Sequence, residues 1–189
     1  TGEDTLSLHD ALPICHGMTE GNLKRRYIGT TDEDLINTDC LKGDYPKCER
    51  VVASPLKRCI QTAEYIYPNV DIEICDKLKE CDFGDFENKS YEDLKDNPDY
   101  QKWLDSKGEL PFPNGETHED FKNRCKDGFF ESLTERDTAF VIHGGSIMAI
   151  MQKLFGGNFY DYQVKNGCGY EFEMRNGEIV DDYSPIGCG

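Results

Sequence analysis

The segment Thr138–Ile142 (TAFVI) carries no charge and stops on His143-Gly144-Gly145-Ser146, beyond which Ile147, Ile150, Met151 and Leu154 recur at helical spacing. A short uncharged run bounded by glycine reads as a strand buried on both faces, and apolar residues three and four apart read as one buried face of a helix. A strand that turns through two glycines into a helix is the repeating unit of a parallel sheet, and it constrains the fold more than any other feature of the chain. Residues 49–54 (ERVVAS) repeat the pattern, with Ser54 expected to cap a helix, Pro55 in its first turn, and Leu56, Cys59, Ile60 and Ala63 facing inward. Pro68 ends that helix and residues 70–75 alternate like a strand. Residues 90–106 suit one or two surface helices near Trp103, and 116–133 a longer one. Residues 168–174 and 178–183 suit a hairpin about Asn176-Gly177. Strands alternating with helices imply an α/β fold, a three-layer sandwich with a largely parallel central sheet.

A chain of 189 residues is long enough for one domain with a real core and short for two. Its 10 Phe, 10 Tyr and 1 Trp argue for a packed globule rather than disorder. The formal charge of -16 repels nucleic acid and anionic membranes, so neither is expected as a partner. An anionic ligand would need cations gathered at one place. Cys15, Cys40, Cys48, Cys59, Cys75, Cys81, Cys125, Cys168 and Cys188 include no C-x-x-C pair. With no signal-peptide pattern and no long apolar run, they read as reduced thiols of a cytoplasmic protein, not as a disulfide scaffold or a zinc site.

Residues 1–14 (TGEDTLSLHDALPI) fit the rest poorly. They lack strand alternation, and Pro13 interrupts any helix. They resemble translated library adapter sequence, and the expectation is a foreign or unstructured segment preceding a domain at 15–189.

Four residues stand where strands end or helices begin, the edge at which open α/β sheets bind ligands. His143 follows the buried strand and precedes free helical N–H groups. Arg58 sits in the first turns of its helix, where five guanidinium donors add to the helix N-terminus. His16, followed by Gly17, and Glu80, in Glu80-Cys81-Asp82-Phe83-Gly84-Asp85-Phe86, are weak signals singly. Together they define a chemistry. A neutral imidazole attacks phosphorus, Arg and a second His neutralise the phosphoryl oxygens, and a carboxylic acid protonates the leaving oxygen. No metal or other cofactor is required, and no P-loop is present.

These segments, in this order, resemble the histidine phosphatase superfamily, also called phosphoglycerate mutase-like. Cys15-His16-Gly17-Met18-Thr19 stands where the family has Arg-His-Gly-x-Thr/Ser, and Asn22 follows at the family's spacing. Arg26-Tyr27-Ile28-Gly29 with Asp32, Ser54-Pro55-Leu56-Lys57-Arg58 with Gln61-Thr62-Ala63, the Glu80 turn and His143-Gly144-Gly145 match the later motifs. The resemblance covers roughly residues 15–175 and implies a phosphoglycerate mutase-like fold. It implies that His16 is the nucleophile, that Arg58 and His143 hold the phosphoryl oxygens with Asn22 and Gly144, and that Glu80 donates the proton. The subgroup it looks nearest to is the bacterial α-ribazole phosphatase-like enzymes.

The implied activity is a metal-independent phosphomonoesterase acting on a small phosphorylated metabolite. A mutase is the alternative, but mutases of the family are usually longer. Cys15 keeps a third reading open, a phospho-ligand binding protein impaired in turnover, because the family's Arg is missing. The specificity surface is expected at residues 86–118, whose Tyr91, Tyr100, Trp103 and Phe112 either stack on a base or sugar or pack a helix cap, with packing the favoured reading. Oligomeric state is not legible in the sequence.

Overall fold

Parallel strands need two apolar faces, and the chain supplies them by strict alternation. The computed structural model describes residues 8–188. Its strands are β1 (His9–Cys15), β2 (Arg50–Ala53), β3 (Ile72–Ile74), β4 (Thr138–Ile142), β5 (Cys168–Arg175), β6 (Glu178–Ile179) and β7 (Ser184–Gly187). Its helices are α1 (Glu20–Leu23), α2 (Lys57–Ile66), α3 (Tyr91–Leu94), α4 (Pro98–Asp105), α5 (His118–Ser132) and α6 (Gly144–Phe155). The sheet order is β3-β2-β4-β1-β5-β6, with β7 also on β5. The run from β3 to β1 is parallel, whereas β5 and its partners are antiparallel.

Side chains on the two faces of these strands separate into two cores. Leu12 and Ile14 of β1, Val51 and Ala53 of β2, and Ala139 and Val141 of β4 pack with Cys59 and Ala63 of α2. Ala11, Cys15, Val52, Phe140 and Ile142 pack on the opposite face with Phe129 of α5 and Ile147, Ile150 and Met151 of α6. Helix, sheet and helix are therefore the three layers expected. A third cluster, with Phe86, Tyr100, Trp103, Phe112 and Phe121, forms a cap beyond the sheet edge.

The structure corrects several expectations. Of the two alternatives for residues 1–14, foreign or unstructured, the second does not hold over residues 9–14, which form a strand inside the sheet. β1 lies between β4 and β5, and Ala11, Leu12 and Ile14 are fully buried. A slot between two strands rewards any segment that presents backbone donors and small apolar side chains, and this outweighs the donor lost at Pro13. Residues 1–7 of that segment lie outside the described residues. Ser54 does not cap α2, whose N-cap is Leu56 without a side-chain bond. The expected strand at 178–183 is cut short at β6. Asn176 and Gly177 do make the turn, with φ of 55° and 75°, as a two-residue hairpin connection requires. β7 then returns along β5 and brings Cys188 to Cys168, and the two form a disulfide with a Cα–Cα distance of 4.8 Å. The expectation that all nine thiols are reduced is corrected at this pair. Cys15, Cys40, Cys48, Cys59, Cys75, Cys81 and Cys125 are free. No helix of the described residues is long and apolar enough to cross a membrane.

Candidate active site

β1, β2 and β4 end side by side, so the residues after them meet at one edge of the sheet. The ladder runs Cys15 opposite Ile142, and the His16 N–H donates to the Ile142 carbonyl at 3.0 Å. His16 and His143 are thereby delivered as neighbours, with ring centroids 5.2 Å apart and planes at 67°. Both are buried.

The His16 ring is held by its own loop. Nδ1 lies 2.7 Å from the Gly17 carbonyl oxygen. A carbonyl only accepts, so Nδ1 carries the proton and Nε2 keeps its lone pair. Burial, reinforced by the Arg58 charge, pushes the His16 pKa down to about 3. The imidazole is therefore neutral across the ordinary pH range. His143 is pushed down by the same causes, burial first, then Arg58 and His16. Its Nε2 pairs with the Ser54 hydroxyl at 2.8 Å and lies 3.4 Å from Cys59 Sγ.

Arg58 is fully buried on α2. Its terminal nitrogens donate to the carbonyls of Thr31 (2.7 Å), Gly29 (2.9 Å) and Ile28 (3.3 Å). The buried Nε–H makes no hydrogen bond among the described residues. An unspent guanidinium donor beside two neutral imidazoles leaves a local excess of positive charge, on a chain whose overall charge is strongly negative.

Glu80 reaches the same edge from the turn after β3. Its Oε1 accepts from the Cys81 N–H (2.9 Å) and its Oε2 from the Gly145 N–H at the start of α6 (3.2 Å). Burial raises its pKa, and those bonds and the Arg58 charge only partly oppose it. A Cβ on Gly145 would come within 2.4 Å of Glu80 Oε1, so glycine is needed there for the carboxylate to approach. A Cβ on Gly144 would meet nothing within 4 Å. Asn22 is one turn away, at the start of α1. Its Oδ1 accepts from the Thr19 N–H (3.2 Å), the Thr19 hydroxyl (3.0 Å) and Asn166 Nδ2 (3.2 Å), so it braces the His16 loop.

Residues 12–181 match the histidine phosphatase superfamily (branch 1). The chain belongs to that superfamily. Solved structures with the same fold include the α-ribazole phosphatase of Shigella flexneri (20% identity, TM-score 0.77, covering 95% of this chain and 96% of that one). The phosphoserine phosphatase of Entamoeba histolytica, solved with 3-phosphoglyceric acid, is 22% identical with a TM-score of 0.77, covering 96% and 98%. A phosphoglycerate mutase of Thermus thermophilus is 25% identical with a TM-score of 0.71, covering 91% and 96%. No functionally curated protein matches the sequence significantly.

Within this histidine phosphatase domain, several residues that brace the site went unread in the sequence. The Thr62 hydroxyl accepts from the Gly17 N–H (2.8 Å) and donates to the Arg58 carbonyl (2.6 Å), linking the His16 loop to α2. Asn166 Nδ2 spans the carbonyls of His16 and Gly17, at 3.2 Å each. Arg124 of α5 pairs with Glu116 and donates to the carbonyls of Lys77, Lys79 and Glu80, which holds the acid-bearing turn. These partners are far away in sequence and lie outside the quoted motifs, except that Thr62 stood in one as a bare match.

Proposed function

We propose that this chain is a metal-independent phosphomonoesterase that works through a phosphohistidine at His16. The observation that carries the reading is the Nδ1–Gly17 bond, which leaves Nε2 as the lone-pair nitrogen 5.2 Å, ring to ring, from a second neutral imidazole. His16 Nε2 attacks phosphorus as the ester P–O bond breaks, and the departing oxygen takes the proton of Glu80. Water then attacks the phosphohistidine, giving its proton to Glu80, and phosphate leaves with His16 regenerated. The free Arg58 Nε–H, His143, the Gly144 N–H and Asn22 are the assigned partners of the phosphoryl oxygens. Glu80 suits the acid role because burial keeps its proton to higher pH than an ordinary carboxyl. The substrate is a small phosphorylated metabolite, and the protein is assigned to the cytoplasm.

A phosphoryl donor should leave an acid-labile, base-stable adduct on the protein that disappears in His16→Ala, and EDTA should leave the rate unchanged. Turnover of His16→Ala at the parent rate would rule the mechanism out. Glu80→Gln should slow alkyl phosphates far more than p-nitrophenyl phosphate, whose leaving group needs no proton.

Cys15 favours a second reading, a phospho-ligand binding protein with little turnover. The residue beside the nucleophile is an uncharged thiol, pushed up to about 12 by burial, first, and by Glu80. Tight phosphate binding without adduct formation would select this reading over hydrolysis.

A further inference from the structure

β7 ends beside the start of β5, and Cys188, the next residue, is joined there to Cys168. The two halves of this disulfide differ in access. Cys168 is 5% exposed, whereas Cys188 faces solvent. Both line a groove of about 680 Å³ together with Met18, Cys40, Lys165 and Asn166. Cys188 also holds a left-handed backbone, with φ of 59°. That conformation is costly for a residue with a Cβ, and release of the chain after β7 relieves it. An exposed disulfide in an open groove is of the labile kind that exchanges with thiols.

The same disulfide lies close to the His16 loop. Cys168 follows Gly167, whose N–H donates to the carbonyls of Cys15 and His16 at 3.1 Å each. The Gly167 carbonyl accepts from the Tyr45 hydroxyl at 2.7 Å, and the carbonyl of neighbouring Asp44 accepts from the Gly187 N–H at 3.2 Å. A Cβ on Gly187 would come within 2.2 Å of the Gly167 oxygen, so the end of β7 and the residue before β5 meet backbone to backbone. Asn166, on the other side of Gly167, donates to the His16 and Gly17 carbonyls. The Gly17 carbonyl is the acceptor that holds His16 Nδ1. The disulfide therefore clamps a segment, 166–167, on which the His16 loop rests.

We propose that Cys188 is a site of reversible exchange with a small peptide thiol, and that opening the disulfide there slows phosphoryl transfer at His16. The exchange site rests on the disulfide and its groove alone, and the effect on rate rests on the phosphomonoesterase reading. The thiolate attacks Cys188 Sγ, the S–S bond breaks, and the electron pair leaves on Cys168 Sγ, which takes up a proton. A second thiol then displaces the first from Cys188. Two small thiols are thereby oxidised to their disulfide, and two protein cysteines are reduced. Attack falls on Cys188 because Cys168 is buried. Lys165 on the groove wall suits the carboxylates of a peptide thiol. With the clamp open, the end of β7 and the Tyr45 hydroxyl no longer fix Gly167. The carbonyl that holds His16 Nδ1 then loses its support.

Glutathione is the probe. After treatment with oxidised glutathione, a peptide map should show Cys168 linked to Cys188. Reduced glutathione should then give a mixed disulfide at Cys188 and none at Cys40. Over the same titration, kcat for p-nitrophenyl phosphate should fall about tenfold, the weight of one hydrogen bond, and recover on reoxidation. The Gly167 amide should exchange with deuterium about tenfold faster in the reduced protein, as a locally opened hydrogen bond does. Cys188→Ser should hold the low rate and lose the response, whereas Cys40→Ser should keep it. Titration of the parent protein needs neither variant to fold. A mixed disulfide confined to Cys40 would overturn the proposal, as would a rate and a Gly167 amide that both ignore an opened disulfide. A Gly167 amide that responds, in a protein that forms no phosphohistidine in either redox state, would instead sink the catalytic reading and leave the exchange site standing.

Discussion

β4 and β1 lie side by side, run in the same direction and deliver the two histidines, yet they are built very differently. All five residues of β4 are buried, uncharged and well suited to a central strand. β1 begins with a buried His9 whose two ring nitrogens have no hydrogen-bond partner among the described residues, continues through Asp10, carries Pro13, and ends on Cys15. Asp10 is held above its ordinary pKa by burial and by Asp137. Both strands nevertheless place an imidazole at the same edge, since that depends on register and on where the strand stops. The quality of a strand sets how much stability it contributes and which side chain stands beside the histidine.

The sharpest way to separate the two strands' products is to remove each histidine. His16→Ala should abolish the adduct and lower kcat by about 10⁴-fold or more, as loss of a nucleophile does. His143→Ala should keep the adduct and cost about 10²–10³-fold, as loss of one oxyanion partner does. Equal losses in quench-flow labelling would assign the two residues one shared role and break the distinction. Next in size is the position before His16. We propose that residues 9–14 stand in for a different leading strand, and Cys15→Arg should then raise kcat/KM by up to about 10³-fold, the weight of a guanidinium on a transferring phosphoryl group. A rate unchanged by Cys15→Arg, in a variant that melts like the parent, would show that Arg58 and His143 suffice.

The two strands should agree in their response to acid. His16 has a folded pKa of about 3 against an ordinary 6.5, and His143 is depressed as well. A depressed histidine contributes stability that is complete above about pH 6.5, where both states are neutral. That stability drains as pH falls toward 3, because the unfolded chain takes up the proton first. Tm should therefore fall from pH 7 to pH 4, and less steeply for His16→Asn/His143→Gln. Parallel curves for parent and double variant would contradict the buried neutral state. The smallest effect belongs to the start of β1. His9→Leu removes two unpartnered nitrogens and should raise Tm by about 2–4 °C, corresponding to about 1 kcal/mol in a domain of this size. A drop in Tm would mean that the His9 ring is satisfied in solution.

The elements around β4 were readable because every signal there is local. Uncharged residues in sequence, two glycines and a helical spacing all fall within 17 residues, Thr138–Leu154. β1 was not legible as a strand because its local signals are poor and its pairing comes from neighbours, Ala139 to Ile142 on one side and Gly169 to Met174 on the other. Ser54 illustrates the same limit. Its type and position suggested a helix cap, but its hydroxyl is taken by His143, 89 residues away.

Alternation of short apolar runs and helical spacings determined, from sequence alone, that this chain forms a layered α/β domain. It also determined which ends of its strands carry histidine, since both follow from periodicity and breaker residues within a few turns. The tertiary structure decided that residues 9–15 complete the sheet, that Nδ1 of His16 is the protonated nitrogen, and that Arg58 keeps one donor unspent. It also decided that Arg124 holds the turn of Glu80 and that Cys168 meets Cys188. Each of these depends on a partner brought close by folding, and a hydrogen bond a few ångströms long is set by the position of both ends, only one of which any local stretch of sequence contains.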